Sequence, residues 1–135
     1  MPMLDLVDEH FIAADRGAVR RLLCDEARWR GWFPDLTLTA YDDRGLEGVR
    51  WRVTGALTGT AEVWVEKYGD GAVVHVFLRA DPTRPGRWRL RAAGRRRRRR
   101  EAARLRRRYA VPLKRQLFAA KDSLEAGRPA GERRR

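Results

Sequence analysis

The sequence is poor in the side chains that build disulfide-bonded or metal-stabilised folds. Its 135 residues include one cysteine, Cys24, and two histidines, His10 and His75. A single cysteine excludes a disulfide within the chain, and this set gives no Cys/His cluster at zinc-ligand spacing. We therefore expect no structural metal, and Cys24, which follows two leucines in a predicted helix, is interpreted as a packing thiol.

Sequence motifs for catalysis and cofactor binding are also missing. The chain contains no GxGxxG, P-loop, HExxH or CxxC text, so no cofactor is expected. His10 and His75 have the side chains whose ordinary pKa suits acid–base work near neutrality. Neither has a serine, cysteine or acid beside it in a recognisable arrangement, so both are interpreted as structural or surface histidines. No residue is assigned a catalytic role.

Long apolar runs are absent as well. Asp5, Asp8 and Glu9 interrupt the N-terminal region, which therefore does not resemble a signal peptide. No apolar run approaches the ~18 residues of a membrane span. We expect a cytoplasmic protein, and its length suits one domain, because single domains commonly contain ~100–150 residues.

Arginine is what the sequence has in excess, with 28 arginines against 3 lysines. A GC-rich genome produces such an excess without selection for function, but the arginines are unevenly placed. Residues 1–83 carry 10 basic and 14 acidic residues, whereas residues 84–135 carry 21 and 4. The two parts thus have net charges of −4 and +17. This asymmetry indicates an anionic partner, such as a nucleic acid or a membrane surface.

The first third of the chain predicts a strand followed by two short helices. "LDLVDEHFIAAD" (4–15) interleaves β-branched and aromatic residues with polar ones, as strands do. Asp15 stands where a helix N-cap belongs, and apolar residues at helical spacing predict a helix over 16–25. "EARWRGWFP" predicts a second helical turn, which Pro34 ends.

The middle of the chain predicts an antiparallel meander. Four alternating segments, separated by short turns, cover residues 36–41, 47–57, 60–68 and 72–80. Connections this short cannot make a parallel crossover, so the strands must be antiparallel. "RWRLR" (87–91) is interpreted as a short edge strand.

A long amphipathic helix is predicted at the C-terminal end. Its apolar stripe runs over about six turns and consists of Ala102, Leu105, Tyr109, Leu113, Leu117, Ala120 and Leu124. Pro112 lies within the stripe, while Gly127 and Pro129 mark the end of the helix.

This order of elements resembles the START-like superfamily, which includes the polyketide cyclase/dehydrase and birch-allergen-like proteins and is also called SRPBCC. The most similar stretch is "FIAADRGAVRRLLCDEARWRGWFPDL" (11–36), a strand, an acidic turn, a short helix and an aromatic-rich segment. The resemblance covers about residues 3–126. It implies an α+β helix-grip fold, an antiparallel sheet wrapped around the C-terminal helix, as one domain over 1–127 with a flexible basic tail over 128–135. The family usually has six or seven strands, so the smaller sheet here puts a large cavity in doubt.

The resemblance also implies a cleft between the C-terminal helix and the sheet, which binds a small hydrophobic ligand such as a lipid, an isoprenoid or a polyketide. Any enzymatic activity would be of the polyketide cyclase/dehydrase type. The expected lining consists of Trp29, Trp32, Phe33, Trp51, Val53, Val63, Val65, Val74, Val76, Tyr109, Leu113 and Leu117. The alternative is that these side chains simply fill the core, as apolar stripes do in any packed domain.

Two further surfaces have interpretations of their own. An arginine-rich surface at the start of the last helix predicts weak, salt-dependent contact with nucleic acid, the ribosome or an anionic membrane, although a solvated helical face is the alternative. Its residues are Arg95, Arg96, Arg97, Arg98, Arg99, Arg100, Arg104, Arg107 and Arg108. On the sheet, Val73, Trp64 and Phe77 point away from the core valines, which suggests a partner subunit and hence a homodimer.

Overall fold

Five strands and three helices make up the part of the chain that the computed structural model describes, residues 2–84 and 94–125. In chain order they are β1 (Leu4–Ile12), α1 (Arg16–Leu23), α2 (Glu26–Trp32), β2 (Leu36–Asp43), a 3₁₀ turn (Gly45–Glu47), β3 (Gly48–Gly55), β4 (Leu57–Tyr68), β5 (Gly71–Pro82) and α3 (Gly94–Glu125). This order confirms the predicted α+β architecture. The edge strand predicted over 87–91, the helix-ending Gly127 and Pro129, and the tail over 128–135 lie outside the described residues.

All five strands form one antiparallel sheet with the order β1-β5-β4-β3-β2. The four strands of the predicted meander are neighbours in space, as their short connections require. β1 completes the sheet by pairing with β5 along its whole length, from Leu4 opposite Ala80 to Ile12 opposite Ala72. Among the described strands, β1 and β2 are therefore the two at the edges of the sheet.

Capping aspartates set the boundaries of the two short helices. The Asp15 carboxylate accepts a hydrogen bond from the Ala18 backbone N–H at 3.2 Å and so caps α1, as predicted. α1 ends at Leu23, two residues earlier than expected, because Asp25 caps α2 in the same way, through the Ala27 N–H at 3.0 Å. α2 ends at Trp32, two residues before the helix-disfavouring Pro34.

The two faces of the sheet differ sharply in burial. Alternate residues of β4 and β5 form the core face, where Val63, Val65, Val74 and Val76 are fully buried. The opposite face carries Trp64, which is partly exposed, and the half-buried Val73 and Phe77. A partner subunit on this outer face stays a prediction.

α3 runs for 32 residues and includes the whole arginine run. Its predicted stripe is confirmed, because Tyr109, Leu113, Leu117 and Ala120 are buried and the other stripe residues, Leu105 and Leu124 among them, are half-buried. The helix continues through Pro112.

Polar contacts fix α3 along the edge strand β1. The Arg106 guanidinium donates to the Asp5 carbonyl at 3.2 Å, and the Lys121 ammonium donates to the Phe11 carbonyl at 2.6 Å. The distance between the two helix positions is about 22 Å along the axis, and that between the two strand positions is about 20 Å. α3 therefore runs in the same direction as β1 and is held near both ends of the strand.

Candidate ligand-binding site

The structure brings the predicted lining residues together in one hydrophobic core cluster. All of them are buried except Trp32, which is half-buried and packs against the cluster. Side chains around an open cavity would keep accessible surface, whereas these have almost none. A ligand among these side chains would have to separate groups that are in contact. The role of the predicted lining residues in ligand binding stays a prediction.

Five rings form an aromatic cluster where α2, β3 and α3 meet. Its members are Trp29, Trp32, Phe33, Trp51 and Tyr109. The Trp29 ring is at the centre, with its centroid 5.2 Å from that of Trp32, 6.1 Å from Phe33 and 5.4 Å from Trp51. Phe33 extends the cluster to Tyr109 of α3, at 5.5 Å. The predicted aromatic corner thus joins three elements that are distant in the sequence.

Every polar atom of the buried rings in this cluster has a partner. The Trp29 indole N–H donates to the Leu23 carbonyl at 2.8 Å, and the Trp51 indole N–H donates to the Glu26 carboxylate at 3.2 Å. The Tyr109 hydroxyl donates to the Asp35 carboxylate at 2.8 Å. Buried indole and phenol groups require such partners, so the cluster is specified by hydrogen bonds as well as by shape.

The Tyr109 hydroxyl is a hydrogen-bond donor that holds its proton in this setting. Burial, followed by its hydrogen bond to the Asp35 carboxylate, raises the pKa of the Tyr109 hydroxyl to about 12. The Arg108 guanidinium also donates to Asp35, at 3.0 Å, and balances the charge of that carboxylate. The hydroxyl therefore keeps its proton at neutral pH. The sequence interpretation missed Asp35, which lies 74 residues from Tyr109.

A groove with a volume of about 270 Å³ lies between α3 and the middle of β1. We call it the helix–strand groove. Buried Leu6 and Leu113 contribute to its base, whereas Val7 and Val111, which are 55% and 50% exposed, stand at its edge. The remaining lining residues are Asp8, Arg106, Ala110 and Lys114. Of the predicted lining residues, Leu113 is the one that reaches this groove.

A larger cleft, of about 810 Å³, lies among the chain connections and has charged side chains in its lining. It is lined by the start of α1, the turn after β2 and the β4–β5 hairpin, with Arg16, Arg21 and Lys67 among its residues. Its charged lining does not suit an apolar ligand, and none of the predicted lining residues contributes to it. The helix–strand groove is therefore the better match to the predicted chemistry.

Both histidines lie on strands and, contrary to the sequence interpretation, have carboxylates beside them: Asp8 lies 3.0 Å from a ring nitrogen of His10, and two glutamates flank His75. His75, on the outer face of the sheet, stacks on Trp64 at 4.4 Å and has Glu9 and Glu66 at 3.1 and 3.3 Å from its two ring nitrogens. The sequence interpretation missed both carboxylates, because only the strand register places Glu9 opposite His75. Within residues 2–84 and 94–125, no three His, Cys, Asp or Glu side chains are placed to hold a metal ion.

Cys24 is a buried thiol, as its interpretation as a packing residue requires. Burial raises the pKa of the Cys24 thiol from 9.0 to about 11. Because the thiolate is the reactive species, we expect the native thiol at pH 8 to react with an aromatic disulfide reagent about 100-fold more slowly than the unfolded chain. Absorbance at matched reagent concentrations, with and without denaturant, measures both rates. Equal rates would contradict the burial of this side chain.

Comparison with known proteins gives likeness in structure only. No protein-family model matches the sequence, and no curated protein matches it. Among solved structures, the Aha1 dimer from Colwellia psychrerythraea has a TM-score of 0.55 at 13% identity, over 93% of this chain and 98% of that one. TTHA0849 from Thermus thermophilus has a TM-score of 0.52 at 15% identity, over 93% and 99%.

The third similar structure is the di-domain ARO/CYC protein StfQ from the steffimycin biosynthetic pathway. It has a TM-score of 0.55 at 16% identity, and the match covers 90% of this chain and 50% of StfQ. The chain has the α+β helix-grip fold. The described residues of this helix-grip chain form a sheet of five strands. None of its described helices has the length and apolar character that crossing a bilayer requires.

Proposed function

We propose that this helix-grip protein binds a small hydrophobic molecule, of the lipid, isoprenoid or polyketide class, between α3 and the sheet. The observation that carries the proposal is the helix–strand groove, which opens between these two elements and reaches the buried Leu113. Small-molecule sites are concave and mostly apolar, with a few polar groups that fix orientation. The groove has this composition.

The groove also indicates the shape of the ligand. Its volume of about 270 Å³ is slightly below the ~300–1,000 Å³ of typical ligand pockets. We infer that a narrow part of the ligand, such as one acyl chain or one ring, occupies it. Arg106 and Lys114 at its edge would pair with an acidic group on the same molecule. An amphiphile with one negative charge is the ligand that fits best.

The enzymatic form of this proposal is a reaction of the polyketide cyclase/dehydrase type. It is supported by the structural likeness to StfQ, an ARO/CYC protein. In this chain the candidate group is the Tyr109 hydroxyl, which lies beside the predicted lining residue Phe33. Its raised pKa keeps the proton on the oxygen, so its role would be to donate a hydrogen bond to a substrate oxygen rather than to transfer the proton. The proposed ligand binding does not depend on this reaction. The cytoplasmic location of the protein stays a prediction.

Leu113→Ala tests the site. In a tightly packed core this truncation typically costs ~2–5 kcal/mol. Beside an open groove the void merges with existing free volume, so we expect a loss of about 2 kcal/mol in the free energy of unfolding, together with a change in affinity for a negatively charged fluorescent fatty-acid probe. Denaturant unfolding and probe titration of the same preparations measure the two effects. A loss of stability near the upper limit of this range, without saturable probe binding to the native protein, would refute ligand binding in the helix–strand groove.

Two exposed residues of α3 provide a matched pair. Val111 borders the groove and Phe118 does not, yet both are 50% exposed and they lie two helical turns apart on the same side of α3. Val111→Glu places a negative charge over the apolar lining and beside the acidic group of the probe, so probe affinity should fall at least about tenfold, the effect of about 1.4 kcal/mol. Phe118→Glu should leave it within about twofold. Equal effects of the two substitutions would place the probe elsewhere.

A further inference from the structure

The start of α3 is a helical segment without an apolar side. We call residues 94–101 the arginine arm. Every residue from Gly94 to Arg100 is exposed, and the first fully buried residue of the helix is Tyr109. No apolar side chain occurs between Arg95 and Glu101. The arm therefore gains no stability from packing, which distinguishes it from the rest of α3.

The arm presents positive charge in all directions. Successive residues of an α-helix are rotated by about 100°, so six consecutive arginines leave no gap wider than about 100° around the axis. These six are Arg95–Arg100. An amphipathic helix that lies on a bilayer needs one apolar face and one charged face. The arm lacks the apolar face, so its geometry does not suit a membrane surface.

Most of the arm's guanidinium groups lack an acidic partner. Further along α3, Arg104 pairs with Glu101 at 3.0 Å and Arg108 pairs with Asp35 at 3.0 Å. In contrast, Arg96, Arg97, Arg99 and Arg100 make no ion pair with any residue in the described part of the chain. Their mutual repulsion, and their unfavourable place at the positive end of the helix dipole, oppose helix formation. A polyanion that surrounds the arm would relieve both effects.

The charge of the remaining protein orients such a partner. Residues 1–83, which form the whole sheet, α1 and α2, have a net charge of −4, whereas residues 84–135 have a net charge of +17. A polyanion is therefore repelled by the N-terminal part of the chain and attracted to the C-terminal part, which includes the arm. Such a field steers association toward the arm.

We propose that the arginine arm binds in the major groove of double-stranded DNA and contacts the phosphates of both groove walls. An α-helix with its side chains is ~10–12 Å across, and the major groove of B-form DNA is ~12 Å wide, so a helix with cations on every side meets both phosphate chains. The major groove of A-form RNA is too deep and narrow for this arrangement. Phosphate contacts carry no sequence information, so the binding is independent of base sequence.

The salt dependence of binding tests the proposal. Fluorescence anisotropy with a labelled DNA duplex of about 20 base pairs gives the affinity between 50 and 200 mM salt. For about five phosphate contacts, log K should fall with log[salt] with a slope of about −4.5. Replacing Arg96, Arg97, Arg99 and Arg100 by glutamine should reduce the slope by about 3.6 and weaken binding at least about 100-fold at 50 mM salt.

A charge-matched control separates the arm from the overall charge. Replacing Arg21, Arg30, Lys67 and Arg115 by glutamine removes the same four charges from exposed positions outside the arm. This variant should keep its affinity within about threefold, as expected when phosphate contacts at the arm dominate binding. Thermal unfolding checks that both variants are folded.

Three outcomes would overturn the proposal. Equal losses in the two quadruple variants would show that only overall charge matters. Tighter binding to an RNA duplex than to DNA would contradict the groove geometry. Tighter binding to phosphatidylserine vesicles than to DNA would assign the arm to a lipid surface. All of these measurements are independent of the probe used for the helix–strand groove, so each proposal can fail alone.

Discussion

Replacing Gly48 by alanine is expected to lower the free energy of unfolding by about 4 kcal/mol, the sum of backbone strain (~1–3 kcal/mol) and overpacking (~1–3 kcal/mol). Gly48 begins β3 with φ at 121°, a conformation that side chains rarely allow. A Cβ atom there would lie 1.9 Å from the Val63 carbonyl oxygen and 3.2 Å from the Trp64 Cα. Both are backbone atoms of the paired strand β4, so neither can move without disturbing the sheet.

Alanine substitutions at two other glycines separate the contribution of backbone strain from that of overpacking. Gly31 lies in α2 with open space around it, so Gly31→Ala should stabilise the protein by roughly 0.5–1 kcal/mol. Gly45 has a φ of 62° and also open space, so Gly45→Ala should show the cost of the left-handed conformation alone, about 1 kcal/mol. Denaturant unfolding of the three variants gives the order of their free energies of unfolding. A Gly48→Ala loss no larger than that of Gly45→Ala would contradict the close approach of β3 and β4.

Trp29→Ala is expected to cost about 3–5 kcal/mol, the typical range for removing a large aromatic side chain from a core. Trp29 is 1% exposed and contacts three other rings of the aromatic cluster. Its loss also leaves the Leu23 carbonyl without the indole donor that now lies at 2.8 Å. Because the cluster joins α2, β3 and α3, the void would loosen three contacts at once.

Trp64→Ala is the matched control. Trp64 has the same side chain but is 36% exposed on the outer face, where it stacks on His75. Its truncation should cost about 1 kcal/mol, in line with an aromatic pair at the surface. Urea unfolding monitored by far-UV circular dichroism avoids the loss of the tryptophan signal. Similar costs for the two variants would contradict the central position of Trp29, or would show that the outer face is covered in solution.

Local pattern was sufficient to predict most of the fold. Alternation in β4 and β5 and the 3–4 spacing in α3 each report on one element, and every predicted element within the described residues is present. The ends were less predictable. β1 stops at Ile12 rather than at Asp15 because Asp15 caps α1, and α1 stops at Leu23 because Asp25 caps α2. These two capping positions decide boundaries that apolar spacing leaves open.

The candidate site was predictable only in part, because its contacts join distant segments. The aromatic corner at 29–33 was apparent from its composition, and the stripe identified Tyr109 and Leu113. The pairing of Tyr109 with Asp35, and the position of Leu6 beside Leu113, depend on how α3 lies along β1. Nothing in local periodicity specifies that placement. It results from burial of the apolar stripe of α3 in the core, while the contacts of Arg106 and Lys121 with the backbone of β1 fix its position along that strand.

The pairing of β1 with β5 has a consequence for synthesis of the chain. Leu4 pairs with Ala80, so the first strand made must wait for the last strand of the meander before it enters the sheet. Until then Leu4, Leu6 and Ile12, all buried in the native protein, remain exposed to solvent. Long-range pairing forms late because the loop-closure cost comes before the stabilising contacts. We therefore expect β1 and α3, which lie at opposite ends of the described chain, to dock after the meander has formed, so that the helix–strand groove between them forms late in folding.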